Sequence, residues 1–234
     1  MTTGDIDSQQ PNDPSGDNPD REEAIKKAGY LLLEKIGEST FGKVYKAKHL
    51  KTGTIVAIKE FKEKYEGNLA PLSPERIAKS EYELGKSLKH HNIIEVTEFF
   101  EANGTSYIVM PLASDTLKGM LEQRGKLPWA KALGPTIEIC EGVAYIHLKG
   151  IVHLDLKPSN ILILDYLMKI CDFGIAHSLE ETKNEGPGFT DVAPTIGSAG
   201  YRAPEVEKGV RDKPQSDVYS LGVNFLSNAG RSGQ

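Results

Sequence analysis

Four residues within eighteen positions bring chemistry together: Asp155, Lys157, Asn160 and Asp172 in the stretch IVHLDLKPSNILILDYLMKICDFG, Ile151 to Gly174. A short apolar run, Ile151–Val152, leads into His153-Leu154-Asp155. A second apolar run separates Asn160 from Asp172-Phe173-Gly174 and reads as a hairpin, Ile161–Leu164 with Met168–Cys171. The polar groups then stand on two loops flanking that hairpin. An aspartate that can take a proton, a lysine beside it, and an Asn and an Asp able to hold Mg²⁺ are what moving a phosphoryl group requires. In such a transfer, positioning and charge neutralisation carry the catalysis. Taken singly, each of these residues is as readily a loop cap or a solvated surface group. Their order and spacing are what carry the reading.

The totals set bounds. The chain has 234 residues, enough for one large domain or two lobes around a cleft. Apolar content of 38% with 26% charged residues is that of an ordinary soluble globular chain. A formal charge of -5 gives no reason to expect nucleic acid or an anionic membrane as partner. Cys140 and Cys171, the two cysteines, both lie in apolar runs, so no disulfide framework is expected and a reducing setting, cytoplasmic or nuclear, fits. No stretch approaches a membrane span, and the N-terminus has no apolar signal region.

The stretch His153-Leu154-Asp155-Leu156-Lys157-Pro158-Ser159-Asn160, followed by Asp172-Phe173-Gly174, resembles the catalytic and metal-binding loops of the eukaryotic-type protein kinases. Their pattern is H-R-D-L-x-x-x-N and D-F-G, and only the arginine differs, as Leu154. The resemblance implies an α+β, bilobal fold with a small β-rich N-lobe and a helical C-lobe. It implies ATP- and Mg²⁺-dependent phosphoryl transfer to Ser or Thr hydroxyls of a protein substrate. Asp155 is then the base that orients the substrate hydroxyl, Lys157 steadies the transferring group, and Asn160 and Asp172 hold Mg²⁺. The alternative is a kinase-like module without activity that binds nucleotide or serves as a scaffold.

Upstream, residues 1–28 are expected to be a disordered tail, because Met1 to about Glu23 has almost no bulky apolar residue. The N-lobe and hinge are expected over residues 29–113, and the C-lobe over 114–234. Gly37-Glu38-Ser39-Thr40-Phe41-Gly42-Lys43-Val44 lies between two strands. It matches the Gly-rich loop G-x-G-x-x-G-x-V with Ser39 in place of the middle glycine. Ser39 is expected to permit the turn, with a stiffer loop and fewer phosphate contacts. Lys59, in Val56-Ala57-Ile58-Lys59, is implied to hold phosphates and to pair with a helix glutamate.

A helix is expected from Ser73-Pro74, an N-cap followed by a first-turn proline, to about Lys89. Glu81 stands nine residues before His90-His91-Asn92-Ile93, which resembles the turn after the family's C helix. That spacing makes Glu81 the partner of Lys59, with Glu75 and Glu83 as competitors. Gly85, one turn after Glu81, stands where the family has a bulky apolar residue. A gap beside Val96, a floppier helix and a less settled Lys59–Glu81 pair are therefore expected.

Met110 is the expected gatekeeper, and Ala113 the residue whose amide meets the purine. Ile36, Gly37, Ser39, Gly42, Val44, Ala57 and Leu162 complete the implied nucleotide site. Cys171 reads as a buried inert thiol, with the back wall of that site as the alternative. Helices are expected over Asp115–Arg124 and Trp129–Lys149.

Lys157 together with Gly197-Ser198-Ala199-Gly200-Tyr201 resembles the Ser/Thr rather than the Tyr kinases. Without the loop arginine, phosphorylation at Thr182, Thr190 or Thr195 is not expected to be the main switch. Ala203-Pro204-Glu205 matches A-P-E, and Asp217 is expected to brace the catalytic-loop backbone. After Leu226 the chain turns to Ser, Asn and Gly residues, so the resemblance implies a C-lobe lacking its last helices. An apolar surface that a partner could cover is expected in their place.

Overall fold

The computed structural model describes residues 19–66, 73–125, 127–178, 198, 200–210 and 213–230. The N-terminal half opens with a helix, α1 (Pro19–Lys27). The strands β1 (Tyr30–Glu38), β2 (Gly42–His49) and β3 (Ile55–Phe61) follow, then α2 (Pro74–Ser87), β4 (Glu98–Ala102) and β5 (Thr105–Pro111). The strands form one antiparallel sheet in the order β1-β2-β3-β5-β4. Side chains alternate across it. Ala57, Phe61, Ile108 and Met110 face a cluster shared with α2, while Ile58, Tyr107 and Val109 face the opposite side.

That outer side is where the sequence reading fails. Residues 19–27 belong to the expected disordered tail, yet they form α1 with Ile25 fully buried beside Tyr30, Ala47 and Ile58. The Arg21 guanidinium pairs with Glu60 on β3 and lies 4.9 Å over the Tyr45 ring. One isoleucine suffices because the sheet supplies the remaining apolar surface, which tail composition cannot reveal. Residues 1–18 of the expected tail lie outside the described residues.

The helical half carries β6 (Asp115–Thr116), α3 (Leu117–Arg124), β7 (Leu127–Pro128), α4 (Trp129–Leu148) and β8 (Ile151–Val152). A 3-10 turn (Pro158–Asn160), β9 (Ile161–Leu164), β10 (Leu167–Ile170) and β11 (His177–Ser178) come next. Then follow α5 (Pro204–Glu207), α6 (Gln215–Asn228) and β12 (Ala229–Gly230). The β9–β10 hairpin pairs Ile161 with Ile170 and Leu164 with Leu167. Helix α4 lies close beneath it. A Cβ on Gly142 would come within 2.8 Å of Ile170 and 3.0 Å of the Asn92 carbonyl, so glycine is what lets the helix approach. The α2–β4 link is stitched to β10 by Ile94 N–H to Ile170 O (2.9 Å) and Ile170 N–H to Asn92 O (2.8 Å). These bonds tie the β-rich half to the hairpin that carries the two polar loops.

The two halves make an α+β fold of a sheet-built lobe and a helical lobe. On α4, Trp129, Leu133 and Ile137 form an i, i+4, i+8 ridge that stays exposed, as do Val218 and Tyr219 on α6. No described helix is long and apolar enough to cross a membrane.

Candidate active site

The loop after β8 takes its shape from a carboxylate beneath it. Asp217, in the first turn of α6, is fully buried. Its oxygens accept the backbone N–H groups of His153 (2.8 Å) and Leu154 (2.9 Å), and one lies 2.8 Å from His147 Nε2. Leu154 has φ 67°, a left-handed conformation that costs a branched side chain free energy. Two amide bonds to a buried anion hold it there. His147 is not singled out by the sequence, where it is one polar residue at the end of an apolar helix.

His153 couples the two polar loops. Its Nδ1 accepts the Asp155 N–H (3.3 Å), so Nε2 carries the proton and donates to the Cys171 carbonyl (3.0 Å). Its ring packs on Phe173 with centroids 5.0 Å apart. This fixes the residue before Asp172 against the residue that positions Asp155.

Asp155 is the centre of a small network. Its Oδ2 accepts from Lys157 Nζ (2.7 Å) and Asn160 Nδ2 (3.0 Å), and its Oδ1 accepts from the Ser198 N–H (2.8 Å). Lys157 Nζ also donates to Ser198 Oγ (2.6 Å), and Asn160 Nδ2 to the Asp155 carbonyl (2.9 Å). Asn160 thus spends its NH₂ on Asp155 and keeps its amide oxygen for another partner.

Lys59 stands on β3 opposite Val44 and Ile108, with its side chain 4% exposed. Its ammonium donates to both Glu81 oxygens (2.8 and 2.6 Å) and to Asp172 Oδ1 (2.7 Å). Glu75 pairs instead with Lys79 on the solvent side of α2. Burial works to lower the Lys59 pKa, but the two carboxylates outweigh it and hold the ammonium charged. Burial raises Asp172, yet Lys59 pulls its carboxyl below the usual range. Glu81 is pushed up to about 7, because burial and the Asp172 charge outweigh Lys59.

The expected gap at Gly85 is absent. A Cβ there would stand 2.5 Å from Val96 Cγ2, so Val96 already fills the space and a side chain would clash. Helix α2 runs unbroken to Ser87, capped by Ser73 Oγ on the Arg76 N–H. In place of the expected loose helix and unsettled pair, α2 is continuous through Gly85 and Lys59 is paired with Glu81. The glycine is matched to its neighbour, and the 2.6 Å contact of Lys59 with Glu81 is tight.

Ala57 and Met110 lie in the cluster that spans both lobes, with Val44, Leu112 and Leu162 packed against it. Ala57 pairs with Met110 across β3 and β5. Ile36 on β1 remains 46% exposed, and Ala113 is half-buried beyond the end of β5. Gly37 faces Val44 across the β1–β2 turn. Ser39 permits the turn: its N–H donates to Gly42 O (2.7 Å), and its Oγ accepts the Phe41 N–H (3.3 Å). Gly42 has a packing reason to be glycine, since a Cβ would stand 1.9 Å from Glu60 O. Cys171 is buried, and desolvation pushes its thiol pKa up, which makes it inert. Thr182, Thr190 and Thr195 lie outside the described residues.

Comparison with known proteins gives the family of the chain. The family model described as the protein kinase domain matches residues 30–230. A probable serine/threonine-protein kinase of Clostridium perfringens is 32% identical over 83% of this chain and 27% of its own length. Cyclin-dependent kinase 9 of Danio rerio is 33% identical over 82% of this chain and 54% of its own. The carbon catabolite-derepressing protein kinase of Candida tropicalis is 33% identical over 92% and 33% respectively. The chain therefore spans between about a quarter and a half of the length of these curated relatives. With the sheet order, the Lys59–Glu81–Asp172 contacts and the Asp155 network in place, the match over residues 30–230 places this chain in the protein kinase family.

Proposed function

We propose that the chain transfers the γ-phosphoryl group of ATP, with Mg²⁺, to a Ser or Thr hydroxyl of a protein substrate. The observation that carries this reading is the convergence of two networks. Asp155, Lys157 and Asn160 are joined by hydrogen bonds on one loop, and Lys59 reaches from β3 to Asp172 on the next. Asp155 accepts the proton of the substrate hydroxyl as its oxygen bonds to the γ-phosphorus. The bond to the bridging oxygen breaks, and ADP leaves. Lys157 supplies positive charge beside that transfer, and Ser198 keeps it in place. Lys59 orients the phosphates.

The donor set fits magnesium. That ion takes oxygen ligands, commonly one or two from the protein with the rest from phosphates and water. Asp172 offers a carboxylate and Asn160 its amide oxygen. Among the described residues no cluster of three His, Cys, Asp or Glu forms an all-protein cage. Bound there, the ion would neutralise charge developing on the phosphate oxygens. The adenine would lie among Ile36, Val44, Ala57, Met110 and Leu162, with its edge toward the Ala113 backbone. The Gly37–Gly42 turn would cover the phosphates. Free, unbridged thiols at Cys140 and Cys171 fit a reducing setting, cytoplasmic or nuclear.

Phosphate incorporation into a protein substrate, with Asp155→Asn as control, tests the reaction. The variant is expected to lose about 10²- to 10⁴-fold in rate while binding ATP and magnesium as the parent does in calorimetry. Equal incorporation by both proteins, or no uptake of ATP by the parent, overturns the reading.

A further inference from the structure

Phe41 sits at the tip of the β1–β2 turn, where a solvated aromatic is the simple expectation, yet it is 4% exposed. Its ring is driven inward. A Cβ built on Gly174 would stand 3.2 Å from Phe41 Cδ2, 2.9 Å from Glu81 Oε2 and 3.4 Å from Asp172 Oδ1. The ring therefore lies against the loop carrying Asp172, beside the carboxylates that hold Lys59. Tyr65, in the segment between β3 and α2, meets Phe41 edge-on, with centroids 5.6 Å apart and planes at 84°. The turn is also tied to that segment by Lys62 N–H donating to Phe41 O (2.9 Å). Tyr65 is 6% exposed, and among the described residues its buried hydroxyl has no hydrogen-bond partner.

We infer that Phe41 and Tyr65 form an aromatic latch that closes the phosphate end of the nucleotide site and must open before a nucleoside triphosphate can engage Lys59. This rests on the nucleotide-binding reading above. Phosphates held by Lys59, and by a cation on Asp172, must run between the β1–β2 turn and the Asp172 loop. The Phe41 ring fills that space. Two opposing forces set the latch. Edge-to-face packing and burial of both rings favour closure. The stranded Tyr65 hydroxyl opposes it, because a buried donor without a partner costs free energy that contact with water restores. The raised pKa of Tyr65 fits this setting, with burial as its main cause and the Lys59, Glu81 and Asp172 charges also acting on it. Truncating Phe41 should therefore loosen the latch. Removing only the Tyr65 hydroxyl should tighten it, because the packing stays and the cost of closure goes.

Stopped-flow mixing of the full chain with a fluorescent ATP analogue and magnesium tests this. In the parent, the observed association rate is expected to level off at high analogue concentration, limited by opening. Phe41→Ala raises that plateau about tenfold, and Tyr65→Phe lowers it about fivefold. Cooperative thermal unfolding checks that each variant folds, and Phe41→Leu replaces the alanine variant if that one does not. Identical association kinetics in parent and folded variants overturn the latch and leave the nucleotide reading standing. A plateau lowered by both substitutions also overturns it, since the two would then act as ordinary site contacts. No binding by parent or variants removes the nucleotide reading and the latch with it.

Discussion

Two lysines in this molecule each stand between acceptors, and their surroundings differ. Lys59 is 4% exposed and joins three separate parts of the chain: β3, α2 through Glu81, and the loop of Asp172. Lys157 is 20% exposed and serves its own loop through Asp155, and Ser198. The first is a dry charge cluster with two carboxylates on one ammonium. The second is a hydrogen-bond network at the edge of solvent. A buried ion pair is poor at adding stability and very costly to break from one side. A pair near water is cheap to lose. Lys59 should therefore hold the lobes together as well as face phosphate, whereas Lys157 should matter for chemistry with little effect on folding.

Lys59→Met against Lys157→Met is the sharpest way to break that contrast. Lys59→Met strands Glu81 and Asp172 without their cation, and the expected loss is roughly 3–5 kcal/mol in urea unfolding. Lys157→Met should cost less than about 1 kcal/mol, since Asp155 keeps Asn160 and the Ser198 amide. Adding Glu81→Leu to Lys59→Met should recover part of the loss, because the buried carboxylate goes with its partner. Equal losses for the two single variants would mean that burial does not separate them.

Asp217 supplies a smaller effect of the dry kind. Asp217→Asn keeps the volume but replaces one acceptor oxygen by a donor, facing a backbone N–H. Leu154 then loses part of what holds it at φ 67°. A loss of roughly 2 kcal/mol is expected, with backbone amide exchange at His153 and Leu154 accelerated more than at β9. Unchanged protection at both amides would show that the loop holds its shape without the carboxylate.

How far these sites are legible in the sequence follows from how local each is. The Asp155 network lies within six residues plus Ser198; the resemblance of His153–Asn160 to the family's loop exposes the six, while the Ser198 contacts form only in the fold. Glu81 is found by its distance from His90-His91-Asn92-Ile93, because that stretch resembles the turn after the family's C helix and only a short link separates it from the end of α2 at Ser87. Gly85 misleads because its meaning depends on Val96, eleven residues away and in contact only after folding. Helix α1 is missed because its burial is supplied by the sheet, with Ile25 as its one large apolar contribution. Helix α3 begins at Leu117 rather than Asp115, since Asp115 and Thr116 pair with Ile163 and Leu162, and Thr116 Oγ1 then caps Gly119. That pairing partner is nearly fifty residues downstream and leaves no local periodicity. The inward turn of Phe41 is likewise invisible, because Tyr65 and Gly174 become its neighbours only in the fold.

Titration gives the gentlest test of the dry cluster. Glu81 has its pKa pushed up to about 7 in the fold, against an ordinary value of 4.5. Between those values the folded chain holds a proton there that the unfolded chain has released, so Glu81 lowers stability as pH rises through that window. The contribution is fully present below about 4.5 and is lost by about 7. Glu81→Gln cannot titrate. Its melting temperature relative to the parent should therefore improve by a few degrees between pH 5 and pH 8, with most of the change below pH 7. Asp172 acts oppositely: its folded pKa is depressed, so its stabilisation appears above the unfolded value and is lost in acid as pH falls through the folded one. The two carboxylates share one ammonium, and the difference between parent and Glu81→Gln isolates the one on α2. A gap that stays constant from pH 5 to pH 8 would place the proton elsewhere and make Lys59–Glu81 an ordinary, fully ionised pair.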